Sequence, residues 1–282
     1  MTELVLRSGL DTGLGRSVLS VSIVVYRRSP FLGEDFDRTL ADAISHLAQN
    51  PLCGTILVLD NSPGNHFHWT TSLSARVVYI HFSGSNLGYA RAHNVAQYLA
   101  DSPYHLILNP DIVFSDSHCL DRLLAIVEAE PDIALIQPLI TSPDNARIQF
   151  LCKRNPTFLS QLGRGFLGSV YFRLMAAYDS WYVMRDLAYG HQPVESQYLS
   201  GCFMLCRRSC LDRVGWFDPQ FFMYLEDADL TRRLSAIGRC IHEPRIRVGH
   251  VWARGSHQNL RLRLVAISSY FRYGAKWGFR LV

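Results

Sequence analysis

Three carboxylates stand within four consecutive positions, at Glu226, Asp227 and Asp229, directly after an apolar run. Like charges this close repel one another unless a cation, a proton or the N-terminal amides of a helix offset them. A carboxylate crowded in this way can have a raised pKa, which suits a general base. The same tetrapeptide is equally typical of a helix that begins with solvated acids, so the residues alone leave both interpretations open.

Other polar candidates follow predicted strands. Asp111 comes after an asparagine and a proline; it is either a turn residue or a ligand for Mg²⁺ or Mn²⁺ whose coordination phosphates would complete. Asp60 and Asn61 are typical either of an Asx turn or of a pair that hydrogen-bonds a base or a ribose. His250 follows a short apolar strand and is either a structural histidine or a metal ligand.

The first 150 residues alternate apolar, β-branched runs with segments of helical periodicity. We predict strands over 18–26, 55–59, 76–82, 104–108 and 133–137, and helices over 35–49, 86–100 and 117–130. This alternation predicts a mostly parallel sheet with helices on both faces. Ligands bind beyond the carboxyl ends of such strands, so the polar clusters at 60–61 and 109–111 are expected to face one crevice.

The pattern is interrupted between residues 141 and 198, where glycine, proline and aromatic residues are frequent. We expect an insertion over the crevice that forms a lid or an acceptor-binding wall. A strand over 198–207, a helix over 225–237 and a C-terminal helix from 259 are predicted to follow. Four apolar residues share one face of that last helix: Leu260, Leu264, Ile267 and Phe271.

Composition excludes several classes of protein. A hydrophobic fraction of 48% and a charged fraction of 18% are those of a globular chain and exclude wholesale disorder. No apolar run approaches the roughly 18 residues of a membrane span, and the first residues lack the apolar centre of a signal peptide. Seven scattered cysteines suit reduced thiols better than a disulfide framework. We therefore expect a soluble cytoplasmic protein.

The formal net charge of +4 is unevenly distributed, since residues 231–282 hold ten arginines and one lysine against a single acid. This asymmetry indicates an anionic partner: a phosphorylated substrate, an anionic membrane or nucleic acid. Nucleic acid is disfavoured, because the basic residues lie in the tail and a buried parallel sheet offers no exposed aromatic platform. Residues 83–88 do not form GxGxxG, which counts against a dinucleotide fold.

Seven segments, taken in order, resemble the family 2 inverting glycosyltransferases, in particular the bacterial rhamnosyltransferases of cell-surface polysaccharide assembly. The segments are SIVVY at Ser22, VLDNS at Val58, NLGYARAHN at Asn86, LILNPDI at Leu106, SGCFMLCRR at Ser200, GWFDPQFFMYLEDADLTRRL at Gly215 and GHVWARGSH at Gly249. The resemblance implies the α/β GT-A fold, with a Rossmann-like sheet in a catalytic domain over 18–258, the acceptor-side insertion over 141–198 and a basic amphipathic helix over 259–282.

The resemblance also implies roles for individual residues. Asp227 would be the catalytic base and Glu226 would shape it. Asp111 would fill the role of the metal-binding acid of the Asp-x-Asp motif, whose other carboxylate is Asn109 here. His250 would be a second ligand of Mg²⁺ or Mn²⁺. The remaining implied contacts are with the acceptor, at Asp229 and Trp252, and with the nucleotide-sugar, at Tyr26, Asp60, Asn61, Asn86, Asn94 and Asn109.

The implied reaction transfers L-rhamnose from dTDP-L-rhamnose to a lipid-linked glycan, with inversion in a single displacement. A UDP-sugar donor on the same fold is one alternative. A non-catalytic module that binds a glycan or a lipid is another, although the retained Asp111, Asp227 and His250 argue against it. The C-terminal helix either associates peripherally with the inner face of the cytoplasmic membrane or packs on the domain.

Overall fold

The computed structural model describes residues 17–26, 34–62, 74–82, 84–162, 173–251 and 260–281. The strands are β1 (Leu19–Val25), β2 (Cys53–Asp60), β3 (Val77–His81), β4 (Tyr104–Leu108), β5 (Ile112–Val113), β6 (Ile133–Thr141), β7 (Cys152–Lys153), β8 (Val194–Glu195), β9 (Tyr198–Leu199), β10 (Phe203–Arg207) and β11 (Arg239–His250). The helices are α1 (Glu34–Gln49), α2 (Gly88–Asn94), α3 (Ala96–Leu99), α4 (Cys119–Ala129), α5 (Phe158–Leu162), α6 (Ala176–Tyr182), α7 (Arg208–Val214), α8 (Glu226–Leu234) and α9 (Leu260–Trp277).

Nine of the described strands form one sheet in the order β3-β2-β1-β4-β10-β6-β11-β5, with β8 added beside β11. β3, β2, β1 and β4 are parallel, as are β6 and β11, while β10 runs antiparallel between β4 and β6. Two antiparallel steps restore the direction, so β6 and β11 point the same way as β1. The predicted mostly parallel α/β sheet is confirmed.

Both faces of the sheet are covered, because successive residues of a strand point to opposite sides. On β4, Leu106 and Leu108 pack into a cluster with residues of α1 and α4. Ile107, between them, packs into a second cluster with residues of α2, α7 and α8. All five β4 residues are buried, which explains why the strand is apolar or aromatic in the sequence except at His105.

Two predicted elements differ from the observed ones. The predicted strand over 198–207 is two strands, β9 and β10, and β9 pairs with β7 in a separate two-stranded sheet. The predicted helix over 86–100 begins only at Gly88, whose φ of 80° favours glycine. A Cβ at Gly88 would lie 2.3 Å from the carbonyl oxygen of Phe222, so the close approach of that loop also requires glycine.

The segment 141–198, predicted as an insertion, contains β7, α5, α6 and β8 among its described residues; 163–172 lie outside the described part. An acceptor-binding role for it stays a prediction.

The seven cysteines are unpaired. Among the helices of the described residues, none has both the length and the apolar character needed to cross a bilayer.

A chain of polar side chains is buried within the sheet. Nδ1 of His105 lies 2.8 Å from Oγ of Ser20, and its Nε2 lies 2.8 Å from Oγ of Ser22. The Ser22 hydroxyl also lies 2.7 Å from Nδ1 of His93. Burial lowers the pKa of His105 to about 3, so this imidazole is neutral in the folded protein at neutral pH.

We expect acid to destabilise the fold in part through His105. Once unfolded, the residue takes up a proton near its ordinary pKa of 6.5, whereas the folded protein resists protonation until about 3. Between these values the unfolded state binds the extra proton, so the free energy of unfolding falls by up to about 1.4 kcal/mol per pH unit through this residue as the pH drops. Urea unfolding between pH 7 and pH 5 should therefore show a shallower pH dependence for His105→Gln. Equal slopes in the two proteins would contradict this.

Candidate functional site

The carboxyl ends of the parallel strands bring several predicted site residues to one edge of the sheet. β1 ends just before Tyr26, β2 ends at Asp60, and β11 ends at His250. Asn109 and Asp111 follow the last residue of β4. The expected crevice of a parallel sheet therefore has polar side chains from at least four strand ends along it.

The acidic cluster enters helix α8 through a strained backbone. Tyr224 and Leu225 have φ values of 72° and 64°, in the left-handed region that side chains other than glycine avoid. The surrounding structure enforces this: Leu225 is buried against Tyr270 and Tyr273 of α9. As a result α8 begins at Glu226, which places the acids in its first turn, where the helix dipole favours negative charge.

Asp227 accepts two backbone hydrogen bonds. Its Oδ2 accepts one from the amide of Gly201 at 2.9 Å, and its Oδ1 accepts one from the amide of Ala228 at 2.9 Å. Burial raises the pKa of Asp227, but both N–H groups oppose that rise because they bind the ionised form.

The neighbouring carboxyl is different. Glu226 is buried, and its Oε2 finds no hydrogen-bond partner among the described residues. Burial, and then the charge of Asp227, raise the pKa of Glu226 well above its ordinary value. Of these two coupled acids, Asp227 is therefore the one that ionises first, while Glu226 holds its proton.

The turn between β9 and β10 joins the acids to the strand ends. The amide of Gly201 binds Asp227, and the carbonyl of Cys202 accepts a hydrogen bond from the amide of Asn109 at 2.9 Å. Tyr89 donates its hydroxyl proton to the carbonyl of Gly201 at 2.6 Å. A Cβ at Gly201 would lie 3.3 Å from the Tyr89 ring and 3.4 Å from the Cβ of Asp227, so this turn fits tightly between them.

Asp111 and His250 form a pair on the other side of that turn. Oδ1 of Asp111 lies 3.3 Å from Nε2 of His250. The orientation of the imidazole is set by Gln149: the Gln149 amide nitrogen donates to the carbonyls of Thr141 and His250, which leaves Oε1 to accept from Nδ1 of His250 at 2.9 Å. In the neutral imidazole Nδ1 therefore carries the proton, and Nε2 presents its lone pair towards Asp111.

The facing lone pairs of Nε2 and Oδ1 suit a shared divalent cation. Asn109 Nδ2 is a distant donor to the same nitrogen, at 3.5 Å. No group of three or more His, Cys, Asp or Glu side chains that could hold a metal occurs in the described part of the chain. The protein thus offers one oxygen and one nitrogen ligand, and a diphosphate and water would have to supply the rest of an octahedral shell. The residues present fit a Mg²⁺ or Mn²⁺ ion on these terms.

The residues predicted to bind the nucleotide are mostly engaged in holding loops. Asp60 is fully buried, and its Oδ1 and Oδ2 accept from the amide of Ser62 and the hydroxyl of Tyr79 at 2.8 and 2.5 Å. Asn61 accepts from the amide of Leu87 and donates to the carbonyl of Gly88. Asn61 and Asp60 therefore fix the wall beyond β2, and direct nucleotide contacts from them stay predictions.

Asn86 and Asn94 sit at opposite ends of α2. Oδ1 of Asn86 accepts from the amide of Gly88 at 2.8 Å, which fixes the start of the helix. Asn94 accepts from the amide of Phe217 at 3.0 Å and donates to its carbonyl at 2.8 Å, so both of its polar atoms bind one distant loop. Tyr26 is 37% exposed at the end of β1. The structure thus brings Tyr26 and Asn86 to the crevice edge but keeps Asn94 about two helical turns away.

Asp229, predicted to contact the acceptor, instead anchors the C-terminal helix. It is fully buried; Oδ2 accepts from Nε of Arg233 at 2.8 Å, and Oδ1 accepts from Nε1 of Trp277 and pairs with Nζ of Lys276, each at 2.8 Å. An acceptor contact by Asp229 stays a prediction. Trp252, the other predicted acceptor contact, lies outside the described residues.

Sequence reasoning missed Tyr89, Gly201 and Gln149. Gln149 lies in the aperiodic stretch and is 101 positions from the histidine that it orients. A local pattern could have drawn attention to Tyr89 and Gly201, which both lie in the motifs that carry the family resemblance.

The family model of Glycosyl transferase family 2 matches residues 20–215, and the chain belongs to this family. Helix α8 and His250 lie beyond the matched range. The N-acetylglucosaminyl-diphospho-decaprenol L-rhamnosyltransferase of Mycobacterium tuberculosis is 28% identical over 232 residues, which are 78% of this chain and 71% of that protein. The rhamnosyltransferase WbbL of Escherichia coli K12 is 28% identical over 234 residues, or 80% of each chain. The chain is thus rhamnosyltransferase-like.

Solved structures support the GT-A fold. The structure of GalNAc-T7 with UDP, GalNAc and Mn²⁺ superimposes with a TM-score of 0.58 at 18% identity, over 86% of this chain but only 44% of that one. The mannosyltransferase PcManGT of Pyrobaculum calidifontis, with GDP-Man and Mn²⁺, superimposes with a TM-score of 0.55 at 14% identity, over 98% of this chain and 68% of that one. These similarities concern the fold.

Proposed function

We propose that the protein transfers L-rhamnose from dTDP-L-rhamnose, with inversion, to a glycan carried on a diphospholipid. The observation that carries this proposal is the turn at 200–202, which holds a base candidate, Asp227, by one hydrogen bond and the Asn109–Asp111 strand end by another. The names of the two rhamnosyltransferase relatives supply the donor sugar and, for the mycobacterial enzyme, the acceptor class.

In the proposed reaction Asp227 removes the proton from an acceptor hydroxyl, whose oxygen attacks the anomeric carbon from the face opposite the leaving diphosphate. Glu226, protonated beside it, keeps negative charge away from the same small space and leaves Asp227 free to accept the proton. Asp111 and His250 would hold Mg²⁺ or Mn²⁺, which supplies neutralisation of the negative charge on the diphosphate. One displacement inverts the anomeric configuration.

Replacing the proposed base should abolish transfer without removing the donor site. The single amide oxygen of Asp227→Asn can keep the hydrogen bond from Gly201 while that from Ala228 is lost, and the amide cannot take up the proton. We therefore expect turnover to fall by about a hundredfold to ten-thousandfold. Sugar transfer from dTDP-L-rhamnose and dTDP affinity measured by calorimetry separate the two effects. The matched control is Asp101→Asn, an exposed aspartate away from the site. Normal turnover in Asp227→Asn would refute the assignment of the catalytic base. Assays with UDP-sugars in place of dTDP-L-rhamnose test the alternative donor nucleotide.

The orientation of His250 gives a test of the metal site. Gln149→Leu removes the acceptor of the Nδ1 proton, so Nε2 is no longer held towards Asp111. Losing such an orienting hydrogen bond typically weakens metal binding by about tenfold to a hundredfold. Titration of Mn²⁺ in the presence of dTDP, followed by electron paramagnetic resonance, measures this. Gln97→Leu, on α3, is the control, and unchanged affinity in Gln149→Leu would contradict the role.

We also propose that α9 places the protein at the inner face of the cytoplasmic membrane. Its buried face, Ser269, Tyr270 and Tyr273, packs on the domain, whereas Leu260, Leu264 and Phe271 are 71%, 58% and 57% exposed. An exposed apolar stripe beside several arginines is suited to an anionic bilayer surface. Packing on the domain and association with the membrane are thus compatible, since opposite faces of α9 would make the two contacts.

Acidic substitutions on that exposed stripe should release the protein from membranes. Leu264→Asp with Phe271→Asp removes two side chains whose burial contributes roughly 1.5–3 kcal/mol each and adds repulsion from anionic lipid. Flotation with phosphatidylglycerol vesicles should therefore show little bound protein. Tyr98→Asp, at a side chain that is 83% exposed on α3, serves as the control. If the double variant floats as well as the control, the membrane proposal fails.

A further inference from the structure

A cavity of about 300 Å³ lies among residues of β7, β8, α6 and the segment that follows α9. Its lining includes Lys153 of β7, Arg154, Trp181 and Arg280. Residues that follow α9 close one wall: the carbonyls of Arg280 and Leu281 accept hydrogen bonds from the first two amides of α5 at 2.7 and 3.1 Å. None of the strand-end residues assigned to the donor or to a metal lines this cavity.

The cavity carries excess positive charge. Three cations line it, at Lys153, Arg154 and Arg280, against one acid, Glu195. Glu195 is already paired with Nε of Arg239 at 2.7 Å. Arg154 is partly neutralised by a bidentate pair with Asp186, whereas no carboxylate within the described chain pairs with Arg280. A ligand with at least one negative charge would complete this arrangement.

Short links connect the cavity to the proposed base. Lys153 is the register partner of Tyr198 on β9, and its Nζ lies 4.8 Å from the centre of the Tyr198 ring. Three residues further along the chain from Tyr198, the amide of Gly201 binds Asp227. Burial raises the pKa of Asp227, and the charge of Lys153 opposes that rise, as expected for neighbouring groups. A ligand in the cavity would therefore be held on elements that also position the base.

An aromatic surface lies next to the cavity, since Phe158 and Phe279 are chain neighbours of the lining residues Thr157 and Arg280. Phe158, whose amide binds the carbonyl of Arg280, is 43% exposed, and Phe271 and Phe279 are 57% and 58% exposed. The ring of Tyr270 lies within 6.1 Å of all three, so the four rings form one patch. Cations in a cavity and exposed rings at its rim match a ligand with a phosphate head and a hydrocarbon chain.

We propose that this cavity binds the diphosphate of the lipid-linked acceptor. Arg280, which pairs with no carboxylate among the described residues, would be its principal cation, and the exposed rings of Phe158, Phe271 and Phe279 would lie against the first units of the lipid. This inference rests on the proposed function, and it adds a second diphosphate site, separate from that of the donor. The acceptor sugar would then extend from the cavity towards Asp227.

Two acceptors with the same sugar test the proposal by kinetics. One carries the sugar on a short prenyl diphosphate, and the other carries it on an alkyl chain without phosphate. Arg280→Gln should raise KM for the diphosphate acceptor by about tenfold or more, the loss typical of one charge-assisted hydrogen bond, and leave KM for the phosphate-free acceptor and for the donor unchanged. Arg280→Lys should retain most of the affinity. The control is Arg213→Gln, an exposed arginine of α7 outside the cavity. Equal effects on both acceptors would overturn the proposal.

A binding measurement separates this inference from the proposed function. Geranyl diphosphate is titrated calorimetrically into the wild type, Arg280→Gln and Arg213→Gln, with dTDP and Mn²⁺ saturating so that the donor site is filled. Weaker binding in Arg280→Gln alone supports the cavity site even if no sugar is transferred, a result that would count against the proposed function only. Equal binding by all three proteins, or no binding by the wild type, overturns the cavity site.

Discussion

The hydrogen bond from the amide of Gly201 to Asp227 is the contact on which the site depends. Two adjacent buried carboxyls cannot both ionise at low cost, so only one of them carries the negative charge. Backbone hydrogen bonds favour the ionised form of Asp227, because N–H groups point at its oxygens and none of the described donors reaches Oε2 of Glu226. The same turn continues into β10, in the centre of the sheet, and gives the charged acid a rigid support.

This arrangement needs support from the opposite side, since α8 starts from two left-handed residues. The support comes from α9, whose Tyr270 and Tyr273 pack with Leu225 and Ala228. Asp229 completes it by binding Trp277, Lys276 and Arg233 through its two oxygens. The three acids of one tetrapeptide thus have different duties: one holds a proton, one holds a charge, and one anchors a helix.

Local patterns in the sequence were sufficient for much of the fold and for part of the site. β4 is predominantly apolar because both its faces are buried. Asp60 ends one strand that the sequence makes evident, and Asp111 follows another. The division of duties within the acidic cluster could not be predicted, because it depends on Gly201 and Trp277, which are distant in the chain.

The role of Gln149 could not be predicted for a related reason. It lies in an aperiodic stretch, and its role depends on a hydrogen bond to a histidine that is distant in the chain. The C-terminal helix shows the limit of periodicity. Leu260, Leu264 and Phe271 form the apolar stripe that a helical pattern selects, yet the structure leaves them exposed and buries Tyr270 and Tyr273 instead. Tyr273 fills the core and hydrogen-bonds Asn155 through its hydroxyl, and a simple apolar pattern does not identify such amphipathic side chains as core residues.

The support of α8 by α9 bears on the order in which a ribosome delivers the chain. Strands β1 to β4 emerge first and can pair as neighbours. Tyr270 and Tyr273, which brace the acid-bearing helix, are synthesised 36 and 39 positions after its last residue, Leu234. While those residues are still in the exit tunnel, the turn before α8 lacks the packing contacts that stabilise its left-handed backbone. A nascent chain would therefore form most of its sheet before Asp227 is held in place, and that position would be completed only once α9 has docked.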